Sequence, residues 1–244
     1  MNYLLLLLGF AIIIVTILDI GKTTLSPHGA GWISGRLSLG IWKLFKWLSG
    51  NDPRRWGLSY AGSVIIGLLL LTYILLLWTG HTFVFLSDDN AVIHGSTKRH
   101  ADPWEVVYFV GYNLSTMGNG DFVGGTMFWK IFASFISFTG LVLITISITY
   151  LIPIVESQVG KQQLSLRIHT LGRSPIGILK NTWNGKDFAA LGPHIEGMID
   201  TILEQSQQHM AYPVLRYFHA PDPQMSDTVA LTTLDEAVSI LQTY

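Results

Sequence analysis

The chain has 244 residues, of which 49% are hydrophobic and only 13% are charged, and its mean hydropathy is +0.41. This composition is typical of a membrane protein and unusual for a soluble domain. The formal net charge is −1, and the basic residues form no patch interleaved with aromatic residues, so nucleic acid is excluded as a predicted partner. The sequence contains no cysteine, which excludes disulfides and thiol enzymes.

Three apolar stretches are long enough to cross a bilayer, which takes about 20 consecutive apolar residues. They are Tyr3 to Leu18 with its flanks, Leu58 to Thr79, and Phe128 to Val155. The alternative for the first stretch is a cleaved signal peptide. It has no basic start or small-residue cleavage site, however, and Asp19 closes it, so we predict a retained transmembrane helix over residues 1–20.

The distribution of basic residues predicts the orientation of these helices. In the loop at residues 21–57, Asp52 is outnumbered by six basic residues: Lys22, Arg36, Lys43, Lys46, Arg54 and Arg55. This loop is therefore predicted to be cytoplasmic, with the N-terminus outside. Acidic residues dominate between the second and third spans, which suits an external segment, and the C-terminal residues 156–244 are predicted to be cytoplasmic.

An amphipathic helix is predicted within the cytoplasmic loop, from Trp32 to Leu48. Its apolar face and its tryptophans suit the membrane interface, so membrane lipids are expected partners. Such a helix can act as a mechanical collar before the second span or as a simple membrane anchor, and the sequence favours neither.

The segment from Asp102 to Asp121 predicts a short helix followed by irregular backbone. Asp102 suits the N-cap, Pro103 the first helical position and Glu105 the partner of a capping box. This helix would end near Leu114, which is too short to span a membrane. Irregular backbone at membrane depth is tolerated where protein buries it or where it lines a wet path, so a re-entrant pore loop is predicted.

The run Ser115-Thr116-Met117-Gly118-Asn119-Gly120-Asp121 resembles the potassium-channel signature Thr-Val-Gly-Tyr-Gly-Asp, and the resemblance covers residues 58–155. It implies an all-α membrane protein with three transmembrane helices, a re-entrant pore helix, a C4 homotetramer and a small helical cytoplasmic tail. It also implies K⁺ as the permeant ion, without an organic cofactor. Five residues would form the filter. Thr116 would supply a hydroxyl and a carbonyl at its inner end, Met117, Gly118 and Asn119 would supply carbonyl oxygens along it, and Gly120 would form the outer turn. Asp121 and Tyr112 would support the filter.

Two positions depart from the family's pattern and leave the selectivity open. Asn119 replaces the usual aromatic residue between the glycines, and Tyr112 stands where some potassium channels have an acid. Asn119 can find new hydrogen bonds and keep the filter rigid, or it can leave the filter loose enough to admit Na⁺. A non-selective monovalent cation channel and a subunit of a potassium uptake system are therefore the alternatives to a K⁺ channel.

The third span carries Gly140 near its middle, which matches the hinge glycine of related inner helices, although helix packing is the other explanation. Its hydroxyl residues suit either a wet cavity or helix packing. The tail is predicted to form short helices such as Gly192 to Met210 and Leu234 to Thr243. No paired intramembrane carboxylates and no nucleophile with its base occur, so we predict that the protein is not an enzyme.

Overall fold

The computed structural model describes residues 1–26, 30–50, 56–220 and 222–243. Its helices and strands, in chain order, are α1 (Tyr3–Leu25), α2 (Trp32–Leu48), α3 (Ala61–Phe85), β1 (Val92–His94), α4 (Pro103–Leu114), β2 (Phe122–Gly124), α5 (Met127–Leu171), α6 (Pro175–Thr182), α7 (Leu191–Ala211) and α8 (Asp227–Thr243). Short 3-10 turns occupy Trp56–Tyr60, Pro213–Tyr217 and Pro223–Met225. Three charged residues used to orient the first loop lie outside the described residues: Asp52, Arg54 and Arg55.

The chain forms two compact units. The first contains Met1–Ser26, Ala30–Gly35 and Gly67–Tyr150, so the N-terminal helix folds together with the segment that resembles a pore module. The second contains the described residues within 36–66 and 151–244.

Within the part of the chain that the structure describes, three helical segments are long and apolar enough to cross a membrane: Tyr3–Leu25, Leu58–Phe85 and Met127–Leu171. They correspond to the three predicted spans, and each is longer than the apolar stretch that predicted it. Helix α5 has 45 residues and continues through Pro153. At 1.5 Å per residue it is roughly 68 Å long, about twice the thickness of a hydrocarbon core.

Small residues bring α1 and α3 close together in the first unit. A Cβ atom added to Gly9 would lie 2.7 Å from the Gly80 carbonyl oxygen, and one added to Gly80 would lie 2.8 Å from the Ile13 side chain. Glycines at a contact of this kind let two helix backbones approach, which is how apolar helices gain packing energy without a hydrophobic driving force between them.

Helix α2 begins beside the buried carboxylate of Asp19 in α1. The backbone amides of Ile33 and Ser34 donate hydrogen bonds of 2.8 and 3.1 Å to its two oxygens, and the Tyr73 hydroxyl donates one of 2.8 Å. The predicted end of α1 near residue 20 is wrong, because α1 continues to Leu25. A carboxylate that caps another helix is satisfied inside the protein, so it does not have to mark the end of its own helix.

A short antiparallel pair of strands corrects the prediction of a purely α-helical chain. Strands β1 and β2 pair with Val92 opposite Gly124 and His94 opposite Phe122. Strand β1 precedes α4 in the sequence and β2 follows it. Their pairing brings together the two ends of the segment that contains α4.

The core of the second unit is built from α5, α6, α7 and α8. Its buried apolar side chains include Leu164 and Ile168 on the C-terminal part of α5, Ile178 on α6, Met198 on α7, and Ala230 and Leu234 on α8. The tail is therefore helical, as predicted, and α7 agrees closely with the predicted Gly192 to Met210. Helix α8 starts at Asp227, earlier than the predicted Leu234.

Candidate functional site

Helix α4 begins with a complete capping box. Asp102 Oδ1 accepts hydrogen bonds from the amides of Trp104 and Glu105, both at 2.9 Å, and Glu105 Oε2 accepts one from the Asp102 amide at 2.9 Å. The predicted cap and the predicted end at Leu114 are therefore confirmed. Twelve residues make a helix roughly 18 Å long, well short of the ~30 Å hydrocarbon core.

An ion pair reinforces this cap. Arg99 Nη1 donates a hydrogen bond of 2.7 Å to Glu105 Oε2, and Arg99 Nη2 donates a second one to Oε1. The Arg99 contact, followed by the Asp102 amide, lowers the pKa of Glu105 to about 2. The ionised carboxylate lies in the first turn of α4, where the positive end of the helix dipole also favours it.

The backbone after α4 alternates in handedness along residues 116–121, which are predicted to form the ion filter and are named the filter segment for that reason. The φ angle is +59° at Thr116, +61° at Gly118 and +83° at Gly120, while Met117 and Asn119 between them have negative φ. An alternation of this kind aligns peptide N–H groups on one side of the chain and carbonyl oxygens on the other. Every residue from Ser115 to Asp121 is exposed in the single chain.

Positive φ is ordinary for glycine and strained for Thr116, whose side chain is branched at Cβ. Strain of this type costs about 1–3 kcal/mol and persists where the surroundings impose it, often at functional sites. Here the Thr116 amide donates a hydrogen bond to the Asn113 carbonyl at 3.0 Å, and the Met117 amide donates one to the Tyr112 carbonyl at 2.9 Å. The sequence predicted unusual angles at the two glycines but gave no sign of one at Thr116.

The Asn119 side chain is held on two sides. Its Nδ2 donates one hydrogen bond to the Tyr108 hydroxyl and another, of 2.8 Å, to Asp121 Oδ2. Tyr108 lies on α4, so the filter segment is tied both to the preceding helix and to its own outer end. The sequence analysis missed Tyr108, although a residue four positions before Tyr112 necessarily lies on the same helix face.

Tyr112 contacts both ends of the filter segment. Besides its carbonyl bond to Met117, its buried hydroxyl donates a hydrogen bond to the Phe122 carbonyl just beyond Asp121. Its ring packs edge-on against Tyr108, with the centroids 5.2 Å apart. Tyr112 thus contacts residues near both ends of the filter segment, and its role as a filter support stays a prediction.

The C-terminal end of the filter segment is anchored to the strand pair. The Gly95 amide donates a hydrogen bond of 2.8 Å to the Asp121 carbonyl, and β2 begins at the next residue. On the other side of α4, Trp78 of α3 donates a hydrogen bond of 2.9 Å from Nε1 to the Val107 carbonyl. Trp78 was not singled out from the sequence, because its partner is 29 residues away.

Gly140 of α5 packs against the end of α4. A Cβ atom at this position would collide with the Leu114 carbonyl oxygen, so only glycine allows the approach. Gly140 also borders a mostly apolar cavity of about 460 Å³ behind the filter segment, together with Trp78, Tyr112 and Met117. Packing is therefore a sufficient reason for this glycine, and its role as a hinge stays a prediction.

The hydroxyl groups of α5 are satisfied within their own helix. Each donates a hydrogen bond to a carbonyl four residues earlier: Ser134, Ser137, Thr139, Thr145, Ser147 and Thr149. Bonds of this type let a hydroxyl face lipid, protein or water at little cost, so they leave both explanations of these residues open.

Comparisons with known proteins agree with this geometry. Residues 68–157 match a family model described as ion channel, and this stretch runs from α3 through the filter segment into α5. The chain is also similar to the "Uncharacterized membrane protein YdjJ" of Bacillus subtilis (strain 168). The two are 31% identical over 243 residues, which cover 99% of this chain and 71% of that relative. No solved structure matches the chain.

Proposed function

Because the chain belongs to the family of the Bacillus subtilis membrane protein YdjJ and carries an ion-channel module, we propose that it is one subunit of a homotetrameric channel that conducts K⁺ passively. In this proposal K⁺ passes along the filter segment, and α5 is the inner helix that lines the pore. No organic cofactor takes part.

The observation that carries the proposal is the alternating backbone of the filter segment, at the end of a capped helix too short to cross the membrane. An alternating segment offers successive carbonyl oxygens on one side, and rings of such oxygens replace the hydration shell of an ion. One chain supplies one segment, and the residues of that segment are exposed in the single chain. Four copies around an axis supply the rings and cover the exposed residues.

The two hydrogen bonds of Asn119 support K⁺ selectivity over the non-selective alternative. Tyr108 and Asp121 accept hydrogen bonds from the amide that replaces the usual aromatic residue. Hydrogen bonds therefore support the filter segment from the side in place of aromatic packing. A filter that holds its width keeps its carbonyls at the spacing that suits the larger ion, and this is one of the two mechanisms discussed for K⁺ selectivity.

The orientation forms part of the proposal. In this proposal the parts of the chain that carry Lys and Arg residues, near α2 and after the third span, lie in the cytoplasm, and the N-terminus and the strand pair lie outside. The filter segment then lies toward the external side, and the second unit contains the cytoplasmic tail.

The reversal potential of the purified protein in planar bilayers tests the proposal, under opposed K⁺ and Na⁺ gradients. We expect reversal near the K⁺ equilibrium potential. Gly118→Ala should abolish the current, because φ at this position is +61° and alanine disfavours it. Gly185→Ala is the matched control, since Gly185 has φ +93° and open space around it but lies in the tail.

Reversal near zero would instead favour the non-selective cation channel. Absence of current in the wild type and in Gly185→Ala, in every gradient, would contradict the channel proposal and favour a subunit of an uptake system.

A further inference from the structure

A polar cavity of about 560 Å³ lies within the second unit, and the proposed conduction mechanism makes no use of it. Its walls come from the C-terminal part of α5, the end of α7, the 3-10 turn at Pro213–Tyr217 and the start of α8. The volume is large enough for a small solute or a lipid headgroup.

The most unusual group in the wall is the side chain of Lys161 on α5. Only 8% of this residue is exposed. Within the described ranges no carboxylate lies within ion-pair distance of its ammonium group and no hydrogen bond to that group is found; Asp227, on the same cavity wall, acts on it through its charge at longer range. A buried ammonium group without a partner is costly, and natural proteins rarely keep one unless something binds it.

Two further polar atoms at the cavity lack partners. Ser59 Oγ and Gln158 Nε2 are buried, and neither has a hydrogen-bond partner in the part of the chain that the structure describes. Both residues line the same cavity as Lys161. Buried polar groups are nearly always hydrogen-bonded, so two buried atoms without partners beside the Lys161 ammonium group indicate an occupant with several acceptor atoms.

The charge of the wall indicates the sign of that occupant. Lys161 and Arg216 are cationic and Asp227 is the single acid among the lining residues, while two histidines, His209 and His219, also line the cavity. Burial, followed by the charge of Lys161, lowers the pKa of His209 from its ordinary 6.5, so at neutral pH this ring is an uncharged hydrogen-bonding group. The N-terminus of the 17-residue helix α8 also lies at the cavity and adds a partial positive charge.

We propose that this cavity binds a phosphate group, with Lys161 as its ion-pair partner and Ser59 and Gln158 as hydrogen-bond donors. A phosphate offers several strong acceptor oxygens and a negative charge, which the two unpartnered buried atoms and the cationic wall lack. The phosphate can belong to a soluble compound or to the headgroup of an anionic lipid. The chemistry at Lys161 is the same in both cases.

Occupancy of the cavity has a consequence for α5. A phosphate held by Gln158, Lys161 and Ser59 would contact α5 and the 3-10 turn at Trp56–Tyr60 together, and so would fix the position of this part of α5 within the second unit. An effect on ion current rests on the proposed function, because α5 is the inner helix only in that proposal. The binding itself does not.

The experiment measures binding without any current, so that failure of the channel proposal does not affect it. The full chain is purified in a maltoside detergent, which contains no phosphate, and its Tm is followed against inorganic phosphate at constant ionic strength. A second titration adds phosphatidic acid in mixed micelles. Ligands that bind the folded protein raise its Tm in a concentration-dependent way.

Lys161→Met should weaken the apparent Kd for the active ligand by roughly tenfold or more, because one charge-assisted contact is lost. Its Tm without ligand should rise, since the variant no longer buries an unpaired charge. Lys186→Met is the matched control, as Lys186 is an exposed lysine of the same unit. Asp227→Asn removes the acid from the cavity wall and should therefore tighten binding. This variant tests the proposal even if Lys161→Met does not fold.

A shift with inorganic phosphate that Lys161→Met removes would support a soluble ligand, and a shift with phosphatidic acid alone would support a lipid headgroup. A shift of the same size in Lys161→Met and in the wild type would overturn the proposal. So would the absence of a shift with either ligand.

Discussion

The Tyr73 hydroxyl of α3 donates a hydrogen bond of 2.8 Å to Oδ2 of Asp19 in α1, beside the first turn of α2. Thr23 extends this contact. Its hydroxyl lies 2.7 Å from the Ser34 hydroxyl and 3.1 Å from that of Tyr73, and it accepts a hydrogen bond of 3.1 Å from the Gly31 amide. One buried polar cluster therefore joins three helices of the first unit, and each of its members depends on the others for a partner.

Asp19→Ala should destabilise the protein by about 2 kcal/mol or more, because the amides of Ile33 and Ser34 and the Tyr73 hydroxyl all lose their acceptor. Tyr73→Phe removes a single donor and should cost about 1 kcal/mol. Thermal unfolding of the detergent-solubilised protein measures both. Thr72→Val is the control, because Thr72 bonds only to the Leu68 carbonyl of its own helix, and it should leave the Tm nearly unchanged. An Asp19→Ala variant as stable as this control would show that the cluster contributes nothing.

The cluster also shows where sequence analysis stops. The start of α4 was predicted to the residue, because the capping box is a contact between Asp102 and Glu105, three positions apart. Asp19 was interpreted as the end of a span, because its acceptor role depends on Tyr73, 54 residues away. Local contacts can be inferred from residue types and spacing, whereas long-range partners require the fold.

In the filter segment, too, residue types predict some features, whereas others depend on the surrounding fold. Positive φ at Gly118 and Gly120 follows from the residue type, and the sequence predicted that these glycines take unusual angles. The positive φ of Thr116 is imposed by its surroundings against its own preference, so no residue pattern predicts it. Whether Asn119 is braced or loose depends on the position of Tyr108 and was left open for that reason.

Gly140→Ala should lower the Tm, because the new methyl group collides with the Leu114 carbonyl at the end of α4, and overpacking of this kind typically costs 1–3 kcal/mol. Gly67→Ala in α3 is the control. A Cβ atom there meets nothing within 4 Å, so this variant should be at least as stable as the wild type, since alanine favours a helix more than glycine does. A hinge without a packing role predicts unchanged stability with altered opening, and that result would contradict the packing explanation.

Tyr108→Phe should reduce the preference for K⁺ over Na⁺ by roughly fivefold, which corresponds to the loss of one hydrogen bond worth about 1 kcal/mol. The variant keeps the ring and its packing against Tyr112 but removes the hydroxyl that accepts a hydrogen bond from Asn119. The permeability ratio from bi-ionic reversal potentials measures the change. Tyr3→Phe alters an exposed tyrosine of α1 and serves as the control. An unchanged ratio in Tyr108→Phe would mean that Asn119 needs no support from α4.

Acid should weaken the cap of α4 over a pH range set by Glu105. Its pKa lies at about 2, below the ordinary 4.5, chiefly because of Arg99. A carboxyl whose pKa is lowered by folding contributes stability above its unfolded pKa and loses that contribution as the pH falls through its folded pKa. The wild type should therefore lose Tm relative to Glu105→Gln between pH 4.5 and pH 2, because the variant has no carboxylate to protonate there.

A second variant, Arg99→Gln, tests whether the ion pair sets the pKa of Glu105. Without the guanidinium group the pKa of Glu105 should rise back toward 4.5, so the loss of Tm in acid should be smaller than in the wild type and complete at a higher pH. Glu196→Gln removes an exposed acid of α7 and should keep the acid profile of the wild type. High salt should reduce the difference between wild type and Glu105→Gln at neutral pH, since the pair is exposed and ions screen it. If Arg99→Gln and the wild type lost the same amount of stability over the same pH range, the ion pair would not control the protonation of Glu105, and the cap would depend on the Asp102 amide alone.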